Sequence, residues 1–279
     1  MASNISPQAV VHPHAIIGDD VSIGPFCTVG PQAQIGSGTR LANNVTVIGH
    51  VVLGDQNTLF PNVVIGAEPQ DISYDGSPTG VVIGNHNVLR EGVTVNRATT
   101  KEDGVTRIGN HNYLMSCSHI AHDCQVGDHV IMANGALLGG HTRVQNRAIL
   151  SGNVGVHHFV TIGAYSFVGG LSRIVHDVPP FMLIDGNPSV VRCVNLVGLK
   201  RQGFTQEEIA SLSEAHRLIY RAKMGLRHAR EILESHNHLT PHVQKLLEFI
   251  DRQYKGKHGR QCEALRKPVA AADQLKEAA

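Results

Sequence analysis

The sequence predicts a mainly β fold, a parallel β-helix followed by a small C-terminal α-helical domain. Three observations support this prediction: a six-residue repeat of aliphatic residues, a change to helical spacing after residue 190, and the composition. Of the 279 residues only 4% are aromatic, none is Trp, and 29 are Gly. Such a chain lacks the residues of an ordinary aromatic-rich core, and it suits a fold of many short, regular layers.

An aliphatic residue recurs at every sixth position in two long runs, Val11 to Ile65 and Ile108 to Ile174, and all twenty-two positions hold Val, Ile, Leu or Met. A period of six is neither the 3.6 of a helix nor the 2 of a plain strand. It fits a short strand and a turn, repeated three times per coil. The aliphatic side chains should point inward, and the small residues four positions later, such as Cys27 and Cys124, should be buried fillers.

We expect the column to occupy residues 1–190, with two excursions at 67–82 and 99–107. Both excursions contain Gly, Asp and Ser or Thr, as loops do, and the first also contains Pro. The first is long for a plain connection, which favours a functional role for it. The repeat ends near Pro179 and Pro180, because proline interrupts strand pairing.

The helical domain is predicted over residues 191–253. Thr205 and Glu208 form the pattern of a capping box, so one helix should begin there. Thr240 and Pro241 indicate a second helix start, with proline at the first position. The remaining residues, 254–279, are polar, and we expect a loosely ordered tail.

Charge and composition exclude several classes of function. The formal net charge is +1, so no strong field favours nucleic acid or anionic lipid. No stretch approaches eighteen apolar residues, so no membrane span is predicted. The N-terminus does not resemble a signal peptide. The five cysteines form no CxxC pair, and we expect reduced thiols in a cytoplasmic protein.

Residues eighteen positions apart should lie over one another, and this register brings three histidines to one corner of successive coils: His122, His141 and His157. Asp123 follows the first of them, His119 precedes it by three positions, and Gly139–Gly140 leave room beside it. A cluster of titratable groups beside a cleared space is a candidate site. Turn positions are also commonly solvated, and the chain has 18 histidines, so a single histidine would carry little weight.

Two chemistries suit this corner, and the residues alone do not choose between them. Three neutral imidazoles could bind Zn²⁺ with an open position for water. Alternatively, one histidine could act as a general base, held in the required tautomer by a carboxylate.

Four motifs carry a resemblance to a known family: IGAEPQDISY at 65–74, LMSCSHIAHDCQVG at 114–127, DVPPF at 177–181 and VNLVGLKRQGF at 194–204. In this order they resemble the UDP-N-acetylglucosamine O-acyltransferases, left-handed β-helix enzymes built from hexapeptide repeats. The resemblance extends from about residue 9 to about residue 225.

The resemblance implies a homotrimer with active sites in clefts between neighbouring columns. It implies transfer of an (R)-3-hydroxyacyl group from acyl carrier protein to the 3-hydroxyl of UDP-N-acetylglucosamine, the first step of lipid A biosynthesis. It also implies that no metal, other cofactor or covalent intermediate takes part.

Specific residues match the family's motif positions. His122 matches the general base, Asp123 the acid that orients it, and the backbone N–H of Gly140 the oxyanion donor. Gly170 matches the position that limits acyl-chain length, and glycine there implies room for a longer chain. The positions matched to substrate binding are Gln70, Asp71, Ser73, His119, His141, His157, His158, Asn195 and Arg201. Basic groups that could face the acidic carrier protein are Lys200, Arg201, Arg217 and Arg221.

The chain departs from the family pattern at four positions: Ser73 stands where a Lys is usual, Gln202 where a second Arg is usual, His158 where Gln is frequent, and Ala98 where Gly is usual. Three of these changes touch the sugar-nucleotide side. A divergent paralogue that acylates another sugar nucleotide, or uses another acyl donor, therefore stays open. So do a zinc-dependent carbonic anhydrase of the hexapeptide class and a non-enzymatic scaffold.

Overall fold

A computed structural model describes residues 3–265 of the chain. Three sheets form the sides of a column, and each coil of the chain contributes one short strand to each sheet. Strand partners are eighteen residues apart, as in the series Ile120, Leu138 and Val156. The strands of the column pair in parallel, so the predicted parallel β-helix is confirmed.

Within each sheet the strands pair in the order in which the chain reaches them. The first sheet contains β1 (Asn4–Ile5), β4 (Ser22–Ile23), β7 (Arg40–Leu41), β10 (Thr58–Leu59), β13 (Val88–Leu89), β16 (Tyr113–Leu114), β19 (Ile131–Met132), β22 (Ile149–Leu150), β25 (Phe167–Val168), β27 (Met182–Gly186) and β28 (Ser189–Val194). The second contains β2 (Val10–Val11), β5 (Thr28–Val29), β8 (Thr46–Val47), β11 (Val64–Ala67), β14 (Thr94–Asn96), β17 (His119–Ile120), β20 (Leu137–Leu138), β23 (Gly155–Val156) and β26 (Arg173–Ile174). The third contains β3 (Ile16–Ile17), β6 (Ala33–Ile35), β9 (His50–Leu53), β12 (Gly80–Ile83), β15 (Val105–Ile108), β18 (Gln125–Val126), β21 (Arg143–Val144) and β24 (Thr161–Ile162).

The core of the column is the stack of repeated aliphatic side chains. Twenty of the twenty-two repeat positions are buried, and the two exceptions, Val11 and Ile17, lie in the first coils at the open end. Cys27 and Cys124 are fully buried, which confirms their predicted role as small fillers. Burial raises the pKa of the Cys124 thiol to about 12, so this thiol stays protonated and unreactive.

The two excursions leave the column and return to it in register. Leu59 pairs with Leu89, thirty residues on, because the first excursion adds a loop between β11 and β12. Ile83 pairs with Ile108, twenty-five residues on, because of the second excursion. The strand-free segments are 68–79 and 97–104, shorter than the predicted 67–82 and 99–107 at their C-terminal ends, where the strands already pair.

The end of the column is covered by an antiparallel pair, β27 and β28, and then by helices. β28 crosses the domain boundary predicted at residue 190, because it continues the first sheet. The helices are α1 (Leu196–Arg201), α2 (Gln206–His216), a π-helical turn (Arg217–Arg221), α3 (Leu226–Ser235), α4 (Pro241–Lys255) and a 3₁₀ turn (Cys262–Leu265). The capping box of Thr205 and Glu208 and the cap by Thr240 are present as predicted.

The segment after α4 lies against the end of the column. The backbone N–H of Asp177 donates to Gly259 O, Arg260 donates to Val175 O, and the N–H of Gln261 donates to the Asp177 carboxylate. The prediction of a loosely ordered tail from residue 254 is therefore wrong up to residue 263, because the column's last carbonyls and Asp177 bind this segment. Residues 266–279 of that prediction lie outside the described residues. None of the described helices is long and apolar enough to span a membrane.

Candidate active site

The corner between the second and third sheets carries His122 and Asp123. His122 begins the turn after β17, and Asp123 follows in the same turn with a positive φ of 59°. This geometry turns the carboxylate back towards the ring, and Asp123 Oδ2 lies 2.7 Å from His122 Nδ1. An ionised carboxylate can only accept, so Nδ1 carries the proton and Nε2 presents a lone pair. The pair has the arrangement of a general base with its orienting acid.

Asp123 is almost completely buried, and its neighbours keep it ionised. Thr99 donates to it from both its backbone N–H and its hydroxyl, the latter at 2.7 Å from Oδ2. The backbone N–H of Asp123 donates to Thr106 Oγ1. Burial by itself would raise the pKa of Asp123, but the hydrogen bonds from His122 and Thr99 hold that pKa below its usual value.

Gly140 lies directly over His122. A Cβ at position 140 would lie 2.5 Å from His122 Cε1 and 2.7 Å from Nε2, so only glycine leaves the ring in place. Among the hydrogen bonds of residues 3–265, none uses the backbone N–H of Gly140 as donor. An unpaired N–H beside a base is free to donate to a bound ligand.

His141 is buried behind the base instead of facing the cavity beside it. Its ring meets the His122 ring edge-on at 5.2 Å and stacks on Phe159 at 4.5 Å. Its Nδ1 lies 2.8 Å from Glu102 Oε1, and its Nε2 lies 3.7 Å from Asp123 Oδ2, which is beyond hydrogen-bond range.

A cavity of about 410 Å³ opens on the outer face of the second sheet, next to this corner. The exposed side chain of Leu137 forms part of its wall. Six of the predicted site residues also line it: Gln70, His119, His122, Gly140, His157 and His158. Burial and the nearby His122 lower the pKa of His119, so its ring is neutral at physiological pH.

The first excursion brings Asp71 and Ser73 together beside Gln70. Ser73 donates to Asp71 Oδ1 from its N–H and from its hydroxyl, and Lys101 Nζ lies 2.8 Å from Oδ2. Burial opposes ionisation of Asp71, but these partners hold its pKa well below its usual range. The cation beside Asp71 is therefore Lys101 of the second excursion. From the sequence, Ser73 in place of the usual Lys had suggested that Asp71 lacks a cationic neighbour.

Asn195 and Arg201 lie apart from the first cavity. They line a second cavity of about 430 Å³ on the first sheet, with Tyr165 and Phe167. The Asn195 side chain caps α1 at Gly198 N and donates to Tyr165 O. Gly170 lines neither cavity and is exposed at the corner between the second and first sheets.

His122, Asp123 and His141 form a group whose possible ligand atoms lie within 4.8 Å of one another. The three-histidine set expected for zinc is not assembled among the described residues. His157 is outside the group, and its Nδ1 lies 3.1 Å from His158 O on the exposed side. Asp123 already has His122 and Thr99 as partners, so the donors present fit a hydrogen-bonded base better than a three-histidine metal site.

Comparison with known proteins decides the family. A family model described as UDP-N-acetylglucosamine O-acyltransferase, domain 2, matches residues 177–258, and a model of six bacterial transferase hexapeptide repeats matches residues 106–140. An acyl-(acyl-carrier-protein)–UDP-N-acetylglucosamine O-acyltransferase of Gloeothece citriformis is 46% identical over 206 residues, 74% of each chain. The chain belongs to the UDP-N-acetylglucosamine O-acyltransferase family. The protein of the same name from Synechocystis is 44% identical over 75% of each chain.

Solved structures of the family agree with the three-sheet column and its helices. The UDP-N-acetylglucosamine acyltransferase of Bacteroides fragilis gives a TM-score of 0.85 at 35% identity, covering 88% of this chain and 96% of its own. The homologue of Acinetobacter baumannii gives a TM-score of 0.83 at 39% identity, with coverages of 88% and 95%. The column and the helical region after it are thus the family's fold.

Sequence reasoning missed three residues that contact the site. Thr99, Lys101 and Glu102 all lie in the second excursion, and they contact Asp123, Asp71 and His141 respectively. Their positions are outside the hexapeptide register, so the repeat could not place them. The composition of the loop, with five consecutive hydroxyl or charged residues at 99–103, was the available signal.

Proposed function

We propose that this protein is an acyl-(acyl-carrier-protein)–UDP-N-acetylglucosamine O-acyltransferase. It transfers an (R)-3-hydroxyacyl group from acyl carrier protein to the 3-hydroxyl of UDP-N-acetylglucosamine, as the first step of lipid A biosynthesis in the cytoplasm. The observation that carries the proposal is the corner of His122, Asp123 and Gly140. At this corner His122, with its free Nε2, and the unpaired backbone N–H of Gly140 face the same cavity.

Each group has a role in the transfer. His122 Nε2 accepts the proton of the sugar 3-hydroxyl as its oxygen attacks the thioester carbonyl, and Asp123 stabilises the imidazolium that forms. The carbonyl oxygen becomes an oxyanion and accepts a hydrogen bond from Gly140 N–H, a contact worth about 3 kcal/mol of barrier in related hydrolytic sites. The C–S bond then breaks, and the thiolate takes the proton from His122. The ester product and free carrier thiol balance the reaction.

We propose that the active unit is a homotrimer. The first cavity is an open concavity on the second sheet, while Asn195 and Arg201 lie on the first sheet, so one chain cannot bring them to one substrate. A ring of three copies would stack the second sheet of each column on the first sheet of the next. Exposed apolar side chains at these faces and their shared corner support this, because Leu137 is 48% and Leu171 is 77% exposed in the single chain.

Within such a trimer the substrate roles divide between neighbours. Asp71, Ser73, Gln70, His119, His157 and His158 would hold the sugar and the acyl end, with His141 behind the base. Arg201 of the adjacent copy would bind the diphosphate, since a guanidinium pairs well with phosphate oxygens. The exposed Lys200, Arg217 and Arg221 on the helices would face the acidic carrier protein.

The proposal is tested by incubating the purified protein with (R)-3-hydroxyacyl carrier proteins of several chain lengths and with UDP-N-acetylglucosamine. We expect a 3-O-acylated product by mass spectrometry, and glycine at position 170 predicts that long chains are accepted. No product from UDP-N-acetylglucosamine, together with product from another sugar nucleotide in a parallel panel, would support the divergent paralogue instead.

The shared site is tested by mixing subunits. His122→Ala and Arg201→Ala damage different halves of the proposed site. In randomly mixed trimers about one site in four combines the two intact halves, so activity should recover to about a quarter of the wild-type value. No recovery after confirmed subunit exchange would contradict a site shared between chains.

A further inference from the structure

Behind the base, the second excursion reaches across the corner and holds His141. Glu102 Oε1 lies 2.8 Å from His141 Nδ1, and Glu102 Oε2 accepts from Arg143 at 3.2 Å. The His141 side chain is 7% exposed and that of Glu102 is 28% exposed, so the contact is partly shielded from solvent. Glu102 and His141 are 39 residues apart in the chain, and only the fold brings them together.

The His141 ring lies where it could compete with the base for the same carboxylate oxygen. Its Nε2 faces Asp123 Oδ2 at 3.7 Å, while His122 Nδ1 and the Thr99 hydroxyl already bind that oxygen at 2.7 Å each. A shift of less than about 1 Å would bring Nε2 into hydrogen-bond range. If Nε2 carried a proton, it would therefore attract Asp123 away from His122.

Glu102 prevents this competition through the tautomer of His141. A carboxylate can only accept, so the contact at Nδ1 requires a proton on that nitrogen. In a neutral imidazole the other nitrogen then has no proton to offer. Stacking on Phe159 and the hydrogen bond from His141 N to His122 O fix the ring's plane and its distance from the base.

We propose that Glu102 is a positioning residue for the acyl transfer: it holds the proton of His141 on Nδ1 and thereby reserves Asp123 for His122. The proposal rests on the general-base role of His122 proposed above. Arg143 supports it by pairing with the second oxygen of Glu102. Glu102 itself lines neither the first nor the second cavity, so it acts through His141 and does not touch substrate.

The test compares Glu102→Ala and Glu102→Gln with a matched control, Asp103→Asn. Asp103 is the neighbouring carboxylate of the same excursion, and it forms an exposed ion pair with Arg107. We expect Glu102→Ala to lower kcat about tenfold through misplacement of the base, with KM for both substrates changed less than about twofold. Glu102→Gln keeps an oxygen that can accept from Nδ1 and should retain most of kcat, and the control should match the wild type.

A spectroscopic readout is independent of turnover. The protein is labelled with ¹⁵N-histidine, and the His141 signals are assigned by their loss in His141→Asn. We expect the wild-type proton on Nδ1 and, in Glu102→Ala, a change towards the Nε2 tautomer. If the wild-type ring carries its proton on Nε2 or on both nitrogens, or if Glu102→Ala leaves kcat unchanged, the proposal is wrong.

The two proposals fail differently. An inactive wild type with the expected Nδ1 tautomer would contradict the proposed acyl transfer and leave the role of Glu102 in orienting His141 intact. Thermal unfolding and gel filtration accompany each variant. If Glu102→Ala does not fold, Glu102→Gln becomes the deciding variant. The proposal predicts that Glu102→Gln keeps the wild-type kcat and the Nδ1 tautomer of His141.

Discussion

Gly140→Ala is the substitution that most sharply tests the geometry of the corner. The added Cβ would lie 2.5 Å from His122 Cε1 and 2.7 Å from Nε2. Carbon atoms in contact are usually separated by about 3.5 Å or more, so the ring must move by about 1 Å. A displacement of about 1 Å of a reacting group can lower the rate about a hundredfold, which corresponds to about 3 kcal/mol of barrier.

The assay is steady-state acyl transfer, with kcat measured under saturating sugar nucleotide. Gly30→Ala is the matched control, because Gly30 follows β5 in the same sheet but its added Cβ would meet nothing closer than 3.5 Å. Overpacking should destabilise Gly140→Ala by about 1–3 kcal/mol, and thermal unfolding monitors this. A folded Gly140→Ala variant with kcat within about threefold of the control would refute the account of a base held in place against Gly140.

Two further predictions follow from charges in and near the first cavity. Lys101→Met removes the ion pair to Asp71; because such a partly exposed pair is worth about 1 kcal/mol, KM for the sugar nucleotide should rise about fivefold with kcat nearly constant. The same change at Arg107, whose exposed ion pair is with Asp103 and not with Asp71, should leave KM unaltered. Equal effects of the two changes on KM would argue against a substrate-side role for Lys101. The folded state lowers the pKa of His119 below its ordinary value of 6.5, so folding favours the neutral ring. The free energy of unfolding therefore decreases as the pH falls through the folded-state pKa of His119. His119→Gln should therefore lose less unfolding free energy than the wild type between about pH 7 and about pH 5, measured by urea unfolding, and parallel losses would contradict this.

The repeat made the column predictable, and with it the approximate place of the base. A strict six-residue period leaves one register, so Ile120 must lie under Leu138 and His122 must lie beside Gly140. The capping box at Thr205 was equally local, because its hydrogen bonds join residues three apart. Such features depend on near neighbours or on a fixed period, and both are readable from sequence.

Contacts made outside the period were not readable. Glu102 meets His141, and Lys101 meets Asp71, only because two loops of different length return to the same side of the column. The segment around Arg260 looked like a polar tail, yet the Arg260 side chain and the Gln261 N–H donate to column residues about 85 positions earlier. Composition gives no register for such contacts. The residues that a neighbouring copy contributes to the site are also not readable from the repeat, because they depend on how the surfaces of the chains assemble.

The most direct test of the central claim is acyl transfer by wild type and His122→Ala, measured side by side at saturating UDP-N-acetylglucosamine. His111→Ala serves as the control, because its ring lies exposed in a stack with His86 and His129 on another corner. If His122 is the general base, its removal should lower kcat about a thousandfold, while the control keeps wild-type activity. If a folded His122→Ala protein keeps more than about a tenth of wild-type kcat, the claim that His122 takes the proton is wrong.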